Sequence, residues 1–368
     1  MPGAAEIVVV GAGCVGSSVA YRLAQRGARV TVLDAGAPGA GTSGASFAWT
    51  NSFGKTPRDY HDLNVAGMEE HAALVKELKE LPGGGWLHQD GALAWEDSPA
   101  GCARLDQAVE RLAGWGYAIE GITPAQAREI EPDLHIAPDV ARVIWTPGEG
   151  YLDAVPYVAA LLAAARRHGA RVRPGRRVAE VLRVADRVVG VRTEDGERFE
   201  ARVVVDCAGA AAGEIARLAG LAIPLDRVPG RLIYTSPVAT TLRRPIHAPG
   251  VHFRPDGGGR VVLAEGTHDQ VWRETVEAWP PERSLAAVAA HLPALAAARV
   301  EATRVGLRPM PRDERPMVGG IPGLDGFYVV VSHSGVTLGP LWGRIAAAEL
   351  LDGVPDPRLA PYRPARFL

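Results

Sequence analysis

Cysteine is scarce in this sequence: Cys14, Cys102 and Cys207 are the only three among 368 residues. They stand far apart, with no CxxC pair and no metal-ligand spacing. That argues against a disulfide-stapled secreted scaffold and against a structural metal site, and makes a reduced, cytoplasmic setting the expectation. Long apolar runs are missing as well. No stretch reaches the roughly 18 uninterrupted apolar residues of a membrane-spanning helix. The apolar run at residues 7–10 has no basic segment ahead of it and is broken by glycines, so it is not read as a signal peptide. Charge of one sign is also lacking. Forty basic residues against 42 acidic ones leave a net charge of −2, which gives no case for nucleic acid or an anionic membrane surface as partner. No internal repeat or low-complexity tract is visible.

What is present is an ordinary globular composition, 47% hydrophobic and 22% charged, on a chain long enough for about two domains. The most informative stretch comes first. Ile7–Val10 is a β-branched apolar run, followed directly by Gly11-Ala12-Gly13-Cys14-Val15-Gly16. Ser17 to Gly27 reads as an amphipathic helix and Ala28 to Leu33 as a second strand, closed by Asp34. Strand, glycine turn, helix, strand and acid in this order form a dinucleotide-binding unit. Gly11 permits the tight turn, Gly13 lets backbone approach a pyrophosphate, and Gly16 lets the helix pack on the strand. The helix N-terminus offers N–H donors and a positive dipole end to phosphate. Asp34 follows Gly16 at close to the spacing of about 20 residues expected of a ribose-binding acid. The unit by itself fits FAD and NAD equally.

Farther along, residues 35–46 form a small-residue loop in which Thr42 and Ser43 are candidates to cap a following helix. Periodicity predicts helices over 58–81, 99–115, 124–131, 151–168, 211–218, 282–292 and 341–351. Thr123 stands as N-cap with Pro124 at the first helical position. Strands are expected at 93–95, 143–145, from 170, and at 178–184, 188–193, 197–205 and 326–331. Residues 225–275 read as antiparallel, with Asp256-Gly-Gly-Gly259 as a hairpin turn. Segments of nucleotide-binding character recur at the start, middle and end, so the fold class expected is mixed α/β with discontinuous domains.

Five places together resemble the D-amino-acid oxidase, glycine oxidase and sarcosine oxidase group of FAD-dependent amine oxidoreductases. They are Gly11–Gly16 with Asp34, Gly41–Ala45, Val203–Ala210, Gly306–Asp313, and Ser332–Pro340. The resemblance implies a Rossmann-like FAD domain of the p-hydroxybenzoate hydroxylase type (1–85, 146–220 and 300–368) and an inserted antiparallel substrate domain (86–145 and 221–299). It implies that Gly11, Gly13, Cys14, Val15 and Gly16 hold the pyrophosphate and Asp34 the adenosine ribose. By the same resemblance Thr42, Ser43, Gly44 and Ala45 lie along the pyrophosphate and flavin. Val178 contacts adenine through its backbone, Ala208 and Gly209 make a second dinucleotide contact, and Gly335, Val336, Thr337 and Leu338 face the flavin pyrimidine. Where related enzymes tether flavin through cysteine, this chain has Gly306, so non-covalent FAD is expected.

Arg308 is the candidate clamp for a substrate carboxylate, since guanidinium is always charged and forms a planar fork. A surface ion pair is its plain alternative. His333 and His252 are candidates to take the proton of the substrate amine, with His333 equally suited to holding its turn. Trp49, Asn51, Lys55, His61, Trp145 and Tyr151 are pocket candidates better explained by packing. The activity expected is oxidation of the C–N bond of an amino acid or N-substituted amino acid. An NAD(P)-dependent dehydrogenase, a flavin-binding subunit without turnover and a natural-product tailoring oxidase stand as alternatives.

Overall fold

The computed structural model describes residues 6–80, 85–265 and 280–368. One layer is a nine-stranded sheet whose parallel centre runs Arg171–Arg173, Arg29–Leu33, Glu6–Val10, Val203–Asp206, Leu324–Val331. The two innermost strands, Glu6–Val10 and Val203–Asp206, are short valine-rich runs buried along most of their length, as parallel strands under helical cover require. The hairpin of Val178–Val184 and Arg187–Thr193 extends one edge. Helices Cys14–Gln25, Ala154–Arg167 and Gly335–Asp352 pack together over one face.

The second layer is an eight-stranded sheet, antiparallel except where Ile246–Ala248 lies parallel to Ala92–Ala94. Its edge strand, Val300–Pro311, pairs with Leu225–Thr235 along nearly its whole length. The expected division at 300 therefore shifts: this strand belongs to the antiparallel sheet, because its partner lies there. A three-stranded sheet of Trp49–Thr50, Gly150–Leu152 and Leu87–His88 bridges the layers.

Most expected elements appear within a few residues of their predicted bounds. Helix 58–81 stops at Glu77; its last predicted residue and most of the glycine run behind it lie outside the described residues, as does 266–275 of the expected antiparallel stretch. Thr123 caps its helix in a full capping box with Gln126. Thr42 and Ser43 cap no helix of their own. Instead, Ser43 Oγ accepts the backbone N–H of Cys14 at 3.0 Å, so it caps the first helix from a distance in sequence. That cap lets the helix begin at Cys14 and not at Ser17.

The last helix begins at Gly335, a turn and a half before the expected Leu341, with Pro340 inside it. Proline lacks the N–H that would bond the carbonyl four residues back, here Val336. His71 Nε2 fills that place by donating to Val336 O at 2.8 Å. A helix can run through proline here because a buried histidine on helix Arg58–Glu77 satisfies the freed acceptor. Among the described residues no helix is long and apolar enough to cross a membrane.

Replacing His71 with leucine leaves Val336 O buried and unmet. The expected cost is about 1–3 kcal/mol, read as a lower urea midpoint, while His71→Gln, which keeps a donor, loses less.

Candidate active site

A cavity of about 1610 Å³ lies between the two layers. This exceeds the roughly 300–1,000 Å³ of ordinary small-molecule pockets. Gly11, Gly13, Cys14 and Val15 line it at one end, with Asp34, the loop Thr42–Ala45, Val178, Ala208 and Gly209 around them. Gly335, Val336 and Thr337 line it farther in. Two helix N-termini, those of Cys14–Gln25 and Gly335–Asp352, thus open on one space, each presenting unpaired N–H donors and a positive dipole end. Two of the expected cofactor residues do not reach the cavity. Gly16 sits beneath the turn, where a Cβ would land on the Gly11 carbonyl oxygen, and Leu338 is wholly buried among apolar neighbours.

The residues present fit an extended dinucleotide. Gly11 has φ of 102°, and a Cβ there would strike the Cys207 carbonyl, so only glycine makes this turn. A Cβ on Gly13 would come within 2.9 Å of Ser43 Oγ. Asp34 Oδ2 accepts the N–H of Ala12 at 2.7 Å and Oδ1 that of Gly36 at 2.8 Å, so the acid holds the glycine turn in place. Gly306 packs so closely on Ala45 O that no side chain fits there, which rules out a flavin tether from that position.

At the other end Arg308, His333, His252, Lys55, Trp49 and Asn51 line the cavity. His61, Trp145 and Tyr151 do not line it. His61 is buried behind the wall, hydrogen-bonded to Ser52 Oγ at 2.7 Å, and Tyr151 stacks on His88. Arg308 is held on the edge strand Val300–Pro311, which is stapled to the glycine-rich loop. Thr42 Oγ1 donates to Leu307 O, and Arg304 Nη1 donates to Gly44 O at 3.2 Å.

Two features of this end were not among the residues expected from the sequence. Glu149, fully buried, accepts the N–H groups of Ser52 and Phe53 at 2.9 and 2.7 Å and the Tyr117 hydroxyl at 2.6 Å. Burial pushes its carboxyl up, and these bonds oppose the shift. It fixes the segment that carries Lys55. The second is His247, which faces His252 across a hairpin, with Nδ1 to Nδ1 at 3.0 Å. The signal existed: His-Ala-Pro-Gly-Val-His is a two-residue turn that sets the histidines opposite each other.

His247 is 8% exposed, stacks on Trp49 at 3.8 Å, and its Nε2 has no hydrogen-bond partner among the described residues. One Nδ1 of the pair donates to the other, and both rings line the cavity wall. Burial pushes His252 down to about 4. His333 is pushed down to about 3, by burial first and then by Lys55 and Arg308. Both lie below the near-neutral range expected of them: for His252 the cause is burial, and for His333 burial with the charges of Lys55 and Arg308 added.

These shifts carry a sign. A histidine whose folded value lies below its ordinary 6.5 binds its proton more readily when unfolded. Stability is therefore complete above about 6.5 and is lost as pH falls toward 4. Urea midpoints measured across pH 4–7 are expected to rise with pH, and His252→Asn to flatten part of that rise.

Residues 6–349 match the family model described as FAD dependent oxidoreductase. The glycine oxidase of Pseudomonas aeruginosa is 30% identical over 98% of this chain and 98% of its own length. The crystal structure of glycine oxidase from Geobacillus kaustophilus superposes with a TM-score of 0.87 at 26% identity, covering 99% of this chain and 100% of that one. Iminodiacetate oxidase from Chelativorans sp. BNC1 superposes with a TM-score of 0.84 at 25% identity, over 97% and 98% of the two chains. The match removes the NAD(P)-dependent alternative and makes FAD the cofactor. With its glycine cradle and its two layers around one cavity, the chain belongs to the D-amino-acid oxidase family of FAD-dependent oxidoreductases, and it is an enzyme.

Proposed function

We propose that this enzyme oxidises the C–N bond of a small amino acid or N-substituted amino acid, giving an imine that water then hydrolyses. The observation that carries the reading is Arg308, a guanidinium opening on the same cavity as the glycine cradle and fastened through its strand to the loop Thr42–Ala45. The names of the glycine and iminodiacetate oxidases support an amino-acid substrate. Bound FAD supplies the hydride acceptor.

The chain's own residues bind and orient. Arg308 holds the substrate carboxylate in a bidentate fork and so fixes the carbon beside the amine. His252 lines the same end as a hydrogen-bonding group. Lys55 and Arg308 together disfavour an ammonium between them, which favours the neutral amine that the chemistry requires. His333, neutral and free of a positive charge of its own, suits that end as a hydrogen-bonding group. Asp34, Val178, Ala208 and Gly209 serve the adenosine half. The cofactor domain comprises 1–85, 146–220 and 312–368, the substrate domain the remainder. FAD is held non-covalently, and the three free thiols suit a reducing cytoplasmic setting.

An anaerobic screen of amino acids and N-alkyl amino acids, read by bleaching of flavin absorbance, tests the reading. Bleaching by such compounds, with intact FAD released on acid denaturation, is the expected outcome. A coloured protein bleached by none of them would be incompatible with it. Arg308→Ala is expected to lower kcat/KM for carboxylate substrates about 100-fold, the worth of a bidentate charge-assisted pair, with flavin content unchanged. Turnover as fast as the parent's would remove Arg308 from the clamp role.

A further inference from the structure

Glu149 stands on the connection between strands Val143–Thr146 and Gly150–Leu152, wholly buried behind the cavity wall. One of its oxygens, Oε1, takes three donors: the N–H groups of Ser52 and Phe53 at 2.9 and 2.7 Å and the Tyr117 hydroxyl at 2.6 Å. The other, Oε2, meets only the Thr146 hydroxyl among the described residues, at 3.4 Å. Three donors on one oxygen suit an ionised carboxylate, and burying that charge is costly unless an opposite charge stands near. The cation whose field reaches it is Lys55.

The bonds that hold Glu149 also shape the segment that carries Lys55. The Lys55 N–H donates to Ser52 O at 3.2 Å, and Gly54 between them has φ of 75°, so residues 52–55 make a tight turn. The first two N–H groups of that turn are given to Oε1, and its last residue lines the cavity. Lys55 is half-buried. Burial works against its charge, Glu149 supports it, and Arg308 opposes it. The other groups around the pair are His333 on the cavity side, Tyr117 from the substrate domain, and Tyr60 and His61 on helix Arg58–Glu77. Burial holds both phenols and both imidazoles toward their neutral forms, so Glu149 is the one anion in this group.

We propose that Glu149 is a positioning residue for the substrate end of the cavity: its carboxylate fixes the turn at 52–55 by hydrogen bonds and supplies the counter-charge to the Lys55 ammonium. The carboxylate itself never reaches the cavity; it acts through Lys55. Only the name given to that end of the cavity rests on the amino-acid reading above.

The sequence supplies its own controls. Lys55 is one of three lysines, and the others, Lys76 and Lys79, are exposed near the end of helix Arg58–Glu77. The FAD-loaded enzyme is pulse-labelled with acetic anhydride across pH 6–11, and the label on each lysine is read by peptide mass spectrometry. Lys55 is expected to take label at a lower pH than Lys76 and Lys79. Glu149→Gln keeps an oxygen for the donors but removes the charge. It is expected to weaken the hold of Lys55 on its proton about tenfold, which moves its midpoint to lower pH by about 1, with Lys76 and Lys79 unmoved. Glu149→Asp, which keeps the charge, is expected to stay near the parent. A Lys55 midpoint unchanged in Glu149→Gln overturns the proposal. So does one that rises toward the exposed lysines, because that reports an opened turn and a merely structural role. A second measurement does not need that variant to fold. Lys55→Met leaves the buried carboxylate without its cation, so Glu149 keeps a proton in the folded state that it loses on unfolding. Its urea midpoint is then expected to fall, relative to the parent's, as pH rises from about 5 to about 7. Parallel curves overturn the pairing. Neither measurement uses a substrate, so failure here removes the Glu149 role and leaves the amino-acid reading to the bleaching screen.

Discussion

Everything in this molecule depends on one close approach. The carbonyl of Gly11 occupies the space where a side chain on Gly16 would begin, and Gly11 in turn rests on the carbonyl of Cys207. Strand Glu6–Val10, helix Cys14–Gln25 and the turn after strand Val203–Asp206 are thereby locked into one contact. No methyl group can enter without moving backbone. The lock aims the helix N-terminus at the cavity, and Ser43 meets its first N–H from a loop that must then lie across the same opening. The dinucleotide site is thus a consequence of how tightly strand and helix pack.

The loop carries that constraint onward to the substrate end. Thr42 and Gly44 are bonded to Leu307 and Arg304, and Gly306 presses on Ala45. Arg308 follows one residue after this contact, on the edge strand of the other sheet. The glycine cradle and Arg308, far apart in sequence, are therefore held in register by one close backbone approach and two side-chain-to-backbone hydrogen bonds, the kind of support that precise orientation needs. On the opposite wall, Glu149 does the same for Lys55 by gathering the N–H groups of Ser52 and Phe53.

What could be read from the sequence follows from the same physics. The glycine turn, its flanking strands and the Arg308 segment are written as fixed local spacings, and these were legible. The roles of Ser43 and His71 were not, since each completes a helix distant in sequence: one supplies the cap of Cys14 and the other answers the carbonyl freed by Pro340. Lys55 was visible as a residue, but its setting was not, because that depends on a carboxylate from strand-flanking residue 149 buried behind it. His247 was legible only to someone who closed the hairpin at Pro249-Gly250 and asked which residues then faced each other. The misplaced boundary at 300 has a similar origin. A strand declares its own apolar pattern but not its partner, and Val300–Pro311 found Leu225–Thr235 across the chain.

The neutral histidines and the charged lysine make a consistent electrostatic picture. Burial depresses both kinds of group, yet Lys55, pushed down to about 8, remains an ammonium at neutral pH, whereas His333 and His252, at about 3 and 4, remain neutral. The cavity end therefore combines positive charge at Lys55 and Arg308 with uncharged imidazoles at His333 and His252. Such a field attracts carboxylate and repels ammonium.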